Sequence, residues 1–139
     1  MRLQTASRIA VFAMLDLAAR PGSPIPAAGI AERYGISVNH LAKVLRTLSR
    51  AGLVEAERGA GGGYRFSGNP RRVTLLEVIL LFETVGPERD PAREAGAETA
   101  EGRALRGVLH EIDDIARATL SSITVATMLK MVAEARQGR

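Results

Sequence analysis

Apolar side chains recur every three or four positions in three separate segments near the start of the chain. In the first segment, residues 5–20, the repeating positions include Ile9, Met14 and Leu17. This spacing places them on one face of an α-helix, which such a helix buries in a core. The sequence therefore predicts a helix over residues 5–20, ended by the Pro-Gly pair that follows.

The next two segments predict a helix-turn-helix. Pro26 suits the first turn of a short helix, and the pattern continues to Tyr34, where Gly35 can cap the C-terminus. After a tight turn, Ser37 can cap a third helix, predicted over residues 37–51. Its apolar stripe consists of Leu41, Val44, Leu45 and Leu48. A short helix, a glycine-containing turn and a second amphipathic helix form this motif.

The segment EAERGAGGGYRF, residues 55–66, predicts a β-hairpin with a flexible tip. Strand-like residues flank the glycine run at 59–63, and a hairpin directly after a recognition helix is a wing, here about residues 53–67. The run matches neither a phosphate-binding loop, because no Lys-Ser/Thr follows, nor the glycine spacing of a dinucleotide fingerprint. A plain flexible turn is the alternative interpretation.

Beyond the hairpin the pattern predicts three more helices, separated by a polar segment. The first covers residues 74–83, and residues 86–102 then contain no large apolar side chain, which favours a mobile loop. A long helix follows, and the last helix covers residues 123–136. The apolar stripe of the long helix consists of Leu105, Leu109, Ile112, Ala116 and Ile123. One small domain cannot easily cover this stripe, so we expect it to pair with a second copy.

These elements predict a mostly α fold with a small β-hairpin. A winged helix-turn-helix domain would occupy residues 1–85, a mobile loop residues 86–102, and dimerisation helices residues 103–139. The 139 residues can bury one core, and no apolar run is long enough to span a bilayer, so we expect a cytoplasmic protein. Cysteine is absent, which excludes disulfides, thiolate nucleophiles and thiolate metal sites.

Positive charge is concentrated in the first half of the chain. Residues 1–73 contain eleven Lys/Arg and four Asp/Glu, whereas residues 74–139 contain eight and eleven. The first half therefore carries +7 within an overall charge of +4. This asymmetry favours a polyanionic partner, and nucleic acid in particular.

Hydrogen-bonding side chains lie opposite the apolar stripe of the third helix. In a major groove Asn39 can pair with adenine and Lys43 with guanine, while His40 can reach base edges or phosphate and Arg50 suits the DNA backbone. Arg46 and Thr47 complete this face. An ordinary solvated helix face is the alternative. On the wing, Arg58 can enter a narrow minor groove, and Gly61 and Gly62 would allow close approach to the sugar–phosphate wall.

Three segments of the sequence resemble the Rrf-type regulators. They are MRLQTASRIAVFAMLDLA at the start, YGISVNHLAKVLRTLSRAGLVEAERGAGGGYRF, and LSSITVATML near the end. This winged-helix family includes the iron–sulfur cluster regulator and the nitric-oxide-sensing repressor. The resemblance implies a homodimeric transcription factor, which we expect to be a repressor. Because a dimer carries two recognition helices, we expect its operator to be palindromic. The resemblance also implies that Asn39, His40 and Lys43 contact bases, that Arg58 enters the minor groove, and that Arg2 and Arg50 hold phosphates.

The sequence departs from this family in one respect. Members that sense iron, nitric oxide or redox state carry three cysteines in the loop before the long helix, and residues 87–102 contain none. Carboxylates and arginines cannot hold an iron–sulfur cluster, so no cofactor is expected. Either this is a cysteine-free branch with another signal, or cysteines were replaced, for which alanines 92, 95, 97 and 100 are compatible positions.

Two other function classes compete with the DNA-binding regulator. The protein could act mainly through a partner protein or small ligand bound at the loop and dimer helix, with DNA binding secondary. An enzyme is disfavoured, because the sequence contains no cysteine, only two distant histidines, and no HExxH, G-x-S-x-G or phosphate-loop motif.

Overall fold

Helices and one two-stranded antiparallel hairpin make up the described part of the chain. A computed structural model describes residues 1–86 and 94–138. In chain order the elements are α1 (Thr5–Ala18), α2 (Ala27–Tyr34), α3 (Val38–Arg50), β1 (Val54–Glu57), β2 (Gly63–Phe66), α4 (Leu75–Leu80), α5 (Ala100–Ser122) and α6 (Val125–Gln137). The predicted fold class, a winged helix-turn-helix followed by a long helix, is confirmed.

Helix α1 lies at the centre of the core. It packs against α2, α3, α4, α6 and the second wing strand. Its apolar face, predicted from the three- and four-residue spacing, is buried, and Met14 and Leu17 are each 1% exposed. The predicted stripe of α3 is buried against it. The amphipathic pattern of the first half of the sequence therefore determines how α3 is oriented.

The wing is attached to the helix-turn-helix through a third extended segment. Strands β1 and β2 pair with Val54 opposite Phe66 and Glu57 opposite Gly63. Tyr64 also pairs with Ile25, just before α2, and each backbone N–H donates to the other residue's carbonyl at 2.8 and 2.9 Å. These two hydrogen bonds fix the end of the hairpin that lies next to its tip relative to α2.

Most helix boundaries differ from the prediction by one or two residues, as at the end of α1 and the start of α6, and two differ by three residues. Helix α4 ends at Leu80 rather than Glu83, although the N–H groups of residues 81–83 still donate to the carbonyls of Val78 and Ile79. Helix α5 begins earlier than expected, at Ala100, because the Thr99 hydroxyl caps it by accepting the Gly102 N–H at 3.0 Å.

The predicted loop 86–102 is therefore described only in part. Its residues 87–93 lie outside the described ranges. Residues 94–99 contain two backbone hydrogen bonds, from Ala97 to Glu94 and from Thr99 to Gly96, and the remaining residues begin α5. None of the helices in the described ranges is long and apolar enough to cross a bilayer.

Helix α6 returns to the first half of the chain. The Leu75 N–H donates to the Ile123 carbonyl, and the Val125 N–H donates to the Val73 carbonyl, each at 2.9 Å. Val125 is 1% exposed within the common core. Of the segment predicted for dimerisation, residues 103–139, α6 thus packs on α1 of its own chain, whereas α5 keeps an uncovered face.

Candidate nucleic-acid interface

Helix α3 presents a polar face to the outside because its apolar face is buried in the core. Leu41, Leu45 and Leu48 have no exposed surface, and Val44 is 2% exposed. The first turn is capped by the Ser37 hydroxyl, which accepts the His40 N–H at 3.3 Å. The helix is therefore held in one orientation, with the opposite face outward.

The outward face contains the residues predicted to contact DNA. Asn39, Lys43, Arg46 and Arg50 are exposed, whereas His40 and Thr47 are half-buried at the edge of the face. No carboxylate of the described residues lies within 4.0 Å of the three cationic groups. Their positive charge is thus available to an external anion.

Thr47 differs from the rest of this face. Its hydroxyl donates to the Lys43 carbonyl at 3.3 Å, one helical turn earlier. A Thr hydroxyl has one proton to donate, so in this rotamer it can only accept a hydrogen bond from DNA. The sequence prediction did not anticipate this contact, which depends on the rotamer.

The two arginines that flank the glycine run have different environments. Arg65 forms an ion pair with Glu57 at 2.7 Å across the hairpin. Arg58 is exposed, and no ion pair joins it to a described residue. Arg2, near the N-terminus, is likewise exposed. Arg58 is therefore the wing cation that remains free to meet a phosphate or a groove.

The glycines of the wing satisfy the hairpin's own geometry. Gly61 lies at φ +78° with open space around it. A Cβ on Gly62 would lie 2.3 Å from the Glu57 carbonyl oxygen, so the tip itself excludes a side chain there. The predicted role of Gly61 and Gly62 in approaching DNA stays a prediction, and the fold supplies a separate reason for glycine.

Helix α5 exposes the apolar stripe that was predicted to pair with a second copy. Leu105, Leu109 and Ile112 are 60%, 50% and 56% exposed, and α5 buries none of its own residues. Val108 and Ile115 widen the stripe. The two other positions predicted for the stripe are less exposed, since Ala116 and Ile123 are half-buried within their own chain.

A buried carboxylate, not identified from the sequence, links α1 to the end of α2. The Asp16 side chain is 4% exposed and accepts hydrogen bonds from Arg33 at 2.6 Å and from Arg20 and Tyr34 at 3.3 Å. Burial raises the pKa of the Tyr34 hydroxyl above its ordinary value, the Asp16 charge raises it further, and Arg33 lowers it. A signal existed, since Asp16 follows Ile9 by seven positions on the buried face of α1.

Comparison with known proteins identifies the family. The sequence profile described as "Rrf2: Iron-dependent Transcriptional regulator" matches residues 3–131. The chain belongs to the Rrf2 family of transcriptional regulators. This confirms the resemblance drawn from the sequence and confirms that the protein is a regulator rather than an enzyme.

Rrf2 relatives match along most of their length. BadM of Rhodopseudomonas palustris, named as an HTH-type transcriptional regulator, is 51% identical over 95% of this chain and 83% of its own. The HTH-type transcriptional regulator IscR of Photorhabdus laumondii is 34% identical, covering 93% and 79%. Among solved structures, CymR, the global cysteine regulator of B. subtilis, has a TM-score of 0.79 at 26% identity, covering 94% of this chain and 98% of its own. T. potens IscR has a TM-score of 0.72 at 32% identity, covering 97% and 90%.

The iron-dependent description of the Rrf2 family raises the question of a metal centre. This chain has no cysteine, and therefore no thiolate ligand for an iron–sulfur cluster. Within residues 1–86 and 94–138, no three His, Asp or Glu side chains are grouped closely enough to hold a metal ion. At the start of α5, Arg103 donates to the Glu98 carbonyl at 2.8 Å. These residues do not fit an iron–sulfur cluster.

Proposed function

We propose that this Rrf2 protein is a homodimeric, sequence-specific DNA-binding repressor. The observation that carries the proposal is the outward face of α3, where Asn39, Lys43, Arg46 and Arg50 are exposed and the cations lack described acidic partners. The names of its relatives, HTH-type transcriptional regulators, support the same function. Because its target would be chromosomal DNA, we expect it in the cytoplasm.

Each side chain has a role that follows from its chemistry and its position on α3. Asn39 and Lys43 lie in the first two turns, so they would reach base edges in the major groove, with His40 beside them. Arg46 would lie deeper along the groove, and Arg50, in the last turn, would hold a phosphate. Thr47 would accept a hydrogen bond at the edge of the contact.

The wing and the N-terminus would hold the flanking DNA. Arg58 is exposed beside the glycine tip and would enter the minor groove, where Gly61 and Gly62 leave room for the sugar–phosphate wall. Arg2 would contact a phosphate. The hydrogen bonds between Ile25 and Tyr64 support this arrangement, because they limit movement of the wing relative to α2.

Dimerisation through α5 would supply the second DNA-binding unit. Five large apolar side chains on one face of α5 are at least half exposed, which is costly in water and typical of an interface. Antiparallel or crossed pairing with a second α5 would bury the stripe and relate two recognition helices by a two-fold axis. The operator is then expected to be palindromic, with half-sites about 10 base pairs or a multiple apart.

The division of roles on α3 can be tested by binding measurements. Fluorescence anisotropy would compare duplex DNA from the region upstream of the protein's own gene with a random duplex of equal length. Lys43→Ala is expected to weaken binding to the specific duplex by about 1–3 kcal/mol and to relax the sequence preference, because it removes a base contact. Arg50→Ala is expected to weaken both duplexes alike and to reduce the salt slope by about 0.9.

Lys130→Ala provides a matched control, since Lys130 is an exposed cation on α6. Its affinity for both duplexes should equal that of the wild type. Equal losses on specific and random DNA for both Lys43→Ala and Arg50→Ala would refute the assigned roles. The absence of any preference of the wild type for the specific duplex would contradict repression at this operator.

A further inference from the structure

A cleft of about 750 Å³ lies between α1, the end of α2 and α6. Its apolar lining includes Val11, Leu15, Leu129 and Val132. The volume lies within the range of pockets that hold small organic molecules, about 300–1,000 Å³. The cleft is separate from the outward face of α3, so DNA contact does not explain it.

The charged residues of this cleft are unbalanced. Arg20, Arg33 and Arg136 contribute three positive charges, whereas Asp16 is the one acidic residue among the lining side chains. Asp16 accepts one hydrogen bond from Arg20 and one from Arg33. The side chains of these two arginines are 52% and 46% exposed. Arg136 forms no ion pair with a described residue. Two positive charges therefore remain beside an apolar pocket, which favours an anion.

One wall of the cleft is aromatic. The rings of Phe12 and Tyr34 stack with centroids 5.0 Å apart and planes within 10°. The Arg33 guanidinium lies 5.3 Å from the centre of the Tyr34 ring. The Tyr34 hydroxyl donates to Asp16, so its polar end is already satisfied. This aromatic wall suits the hydrophobic body of a ligand.

The position of the cleft connects it to the DNA-binding unit. Arg33 and Tyr34 are the last two residues of α2, and only Gly35, at φ 64°, and two further residues separate them from α3. A ligand that contacts both Arg33 and Arg136 would join the end of α2 to α6. Its binding energy would then depend on how the helix-turn-helix lies against the C-terminal helix.

We propose that this cleft binds a small organic anion with an apolar body, whose acidic group is held by Arg136 and Arg33. The apolar body lies between α1 and α6 against Phe12, and the ligand acts as an effector of the helix-turn-helix. The effector role rests on the proposed function, whereas the binding itself does not. Ligand binding is measured without DNA, so its failure leaves the DNA-binding proposal standing.

The test uses two fluorescent probes that share one aromatic skeleton. Anilinonaphthalene sulfonate carries the negative charge, and phenylnaphthylamine lacks it. The full chain is expected to bind the sulfonate saturably, with one site per protomer. Arg136→Gln should weaken sulfonate binding about tenfold by removing a charge-assisted contact, and leave binding of the neutral probe unchanged.

Lys130→Gln is the matched control, because it removes the same charge from an exposed position on α6 outside the cleft. It should bind both probes as the wild type does. Equal weakening of the sulfonate by Arg136→Gln and Lys130→Gln would overturn the proposal. So would a loss of neutral-probe binding in Arg136→Gln that matches the loss for the sulfonate, or the absence of saturable sulfonate binding.

Methionine-methyl NMR locates the probe. Met128 lines the cleft, whereas Met131, one turn later on α6, is 48% exposed and lies outside it. Saturation with the sulfonate should shift the Met128 methyl resonance and leave Met131 in place. A shift of Met131 without one of Met128 would place the probe on the outer surface and overturn the proposal.

Discussion

At the scale of single residues, Asp16 is the side chain on which the junction between α1 and α2 depends. It is a carboxylate on the buried face of α1. Its partner Arg20 lies one helical turn later, and its partner Arg33 lies 17 positions later in the chain. The two arginines are half exposed, so their charges stay hydrated while Asp16 does not. Removing the acidic partner therefore lowers the free energy of unfolding by less than it would if two buried cations were left without a partner.

Asp16→Asn is expected to lower the free energy of unfolding by about 1–2 kcal/mol. The substitution keeps the volume of the side chain but removes the negative charge that strengthens the hydrogen bond from Arg33. Urea unfolding would measure the change. Asp114→Asn, on the exposed surface of α5, is the control and should differ from wild type by less than about 0.5 kcal/mol. Equal stability of Asp16→Asn and the wild type would contradict a structural role for this ion pair.

The sequence predicted which residues lie on the outward face of α3, but it did not predict which side chains elsewhere form ion pairs. The outward position of Lys43 and Arg50 follows from the periodicity of the leucines opposite them, which is local information. The pairing of Arg65 with Glu57 and of Arg33 with Asp16 depends on strand register and helix packing, which one sequence does not reveal. The sequence likewise singled out Arg58 as the wing cation for DNA. It could not show that the other wing arginine, Arg65, forms an ion pair with Glu57.

At the scale of elements, the wing illustrates how backbone packing restricts a sequence. Gly63 opens β2, and a Cβ there would lie 2.4 Å from the backbone carbon and oxygen of Ile25. The glycine is thus required by the close approach of two chain segments. From the sequence the glycine run indicated a flexible tip, yet its last residue, Gly63, is required by close packing against Ile25 at the tip end of the strands.

Gly63→Ala is expected to destabilise the protein by about 1–3 kcal/mol, because the Ile25 segment must move and its two hydrogen bonds with Tyr64 weaken. Thermal and urea unfolding would measure the effect. Gly29→Ala is the matched control in α2, where nothing lies within 4 Å of the new Cβ. That change should be neutral or stabilise by up to about 1 kcal/mol. Similar destabilisation by both substitutions would show that close packing at Gly63 is not the cause.

Helix positions were predicted well where capping residues mark them. Ser37 and Gly35 bound their helices as expected, and α3 differs from the predicted range by one residue at each end. The start of α5 was placed too late, because the Thr99 cap lies in a polar segment without periodic apolar residues. The return of α6 to α1 was not predicted, since tertiary hydrogen bonds from Leu75 and Val125 determine it.

At the scale of the whole molecule, the uncovered stripe of α5 is the surface through which we propose that the protein dimerises. The stripe shares its helix with residues that contact the rest of the chain, such as Arg117, which donates to the Val85 carbonyl at 3.2 Å. One side of α5 is thus attached to its own protomer while the apolar side faces outward. A second copy would cover that side without rearranging the first.

Leu109→Glu is expected to weaken the proposed dimer by at least about a hundredfold, because it places a charge within an apolar interface. Sedimentation velocity would measure the monomer–dimer equilibrium. Ala118→Glu is the matched control, since it adds the same charge at an exposed position on the opposite side of α5. It should leave the equilibrium unchanged. A wild-type monomer at micromolar concentration would contradict dimerisation through this stripe.

The claim on which the account depends is that two copies of the α3 polar face bind successive turns of one duplex. Hydroxyl-radical footprinting on the region upstream of the protein's own gene, at modest ionic strength, tests it most directly. We predict two protected blocks about 10 base pairs or a multiple apart, related by a palindrome and weakened by Lys43→Ala. The absence of any protected block, or protection that Lys43→Ala leaves unchanged, would contradict it.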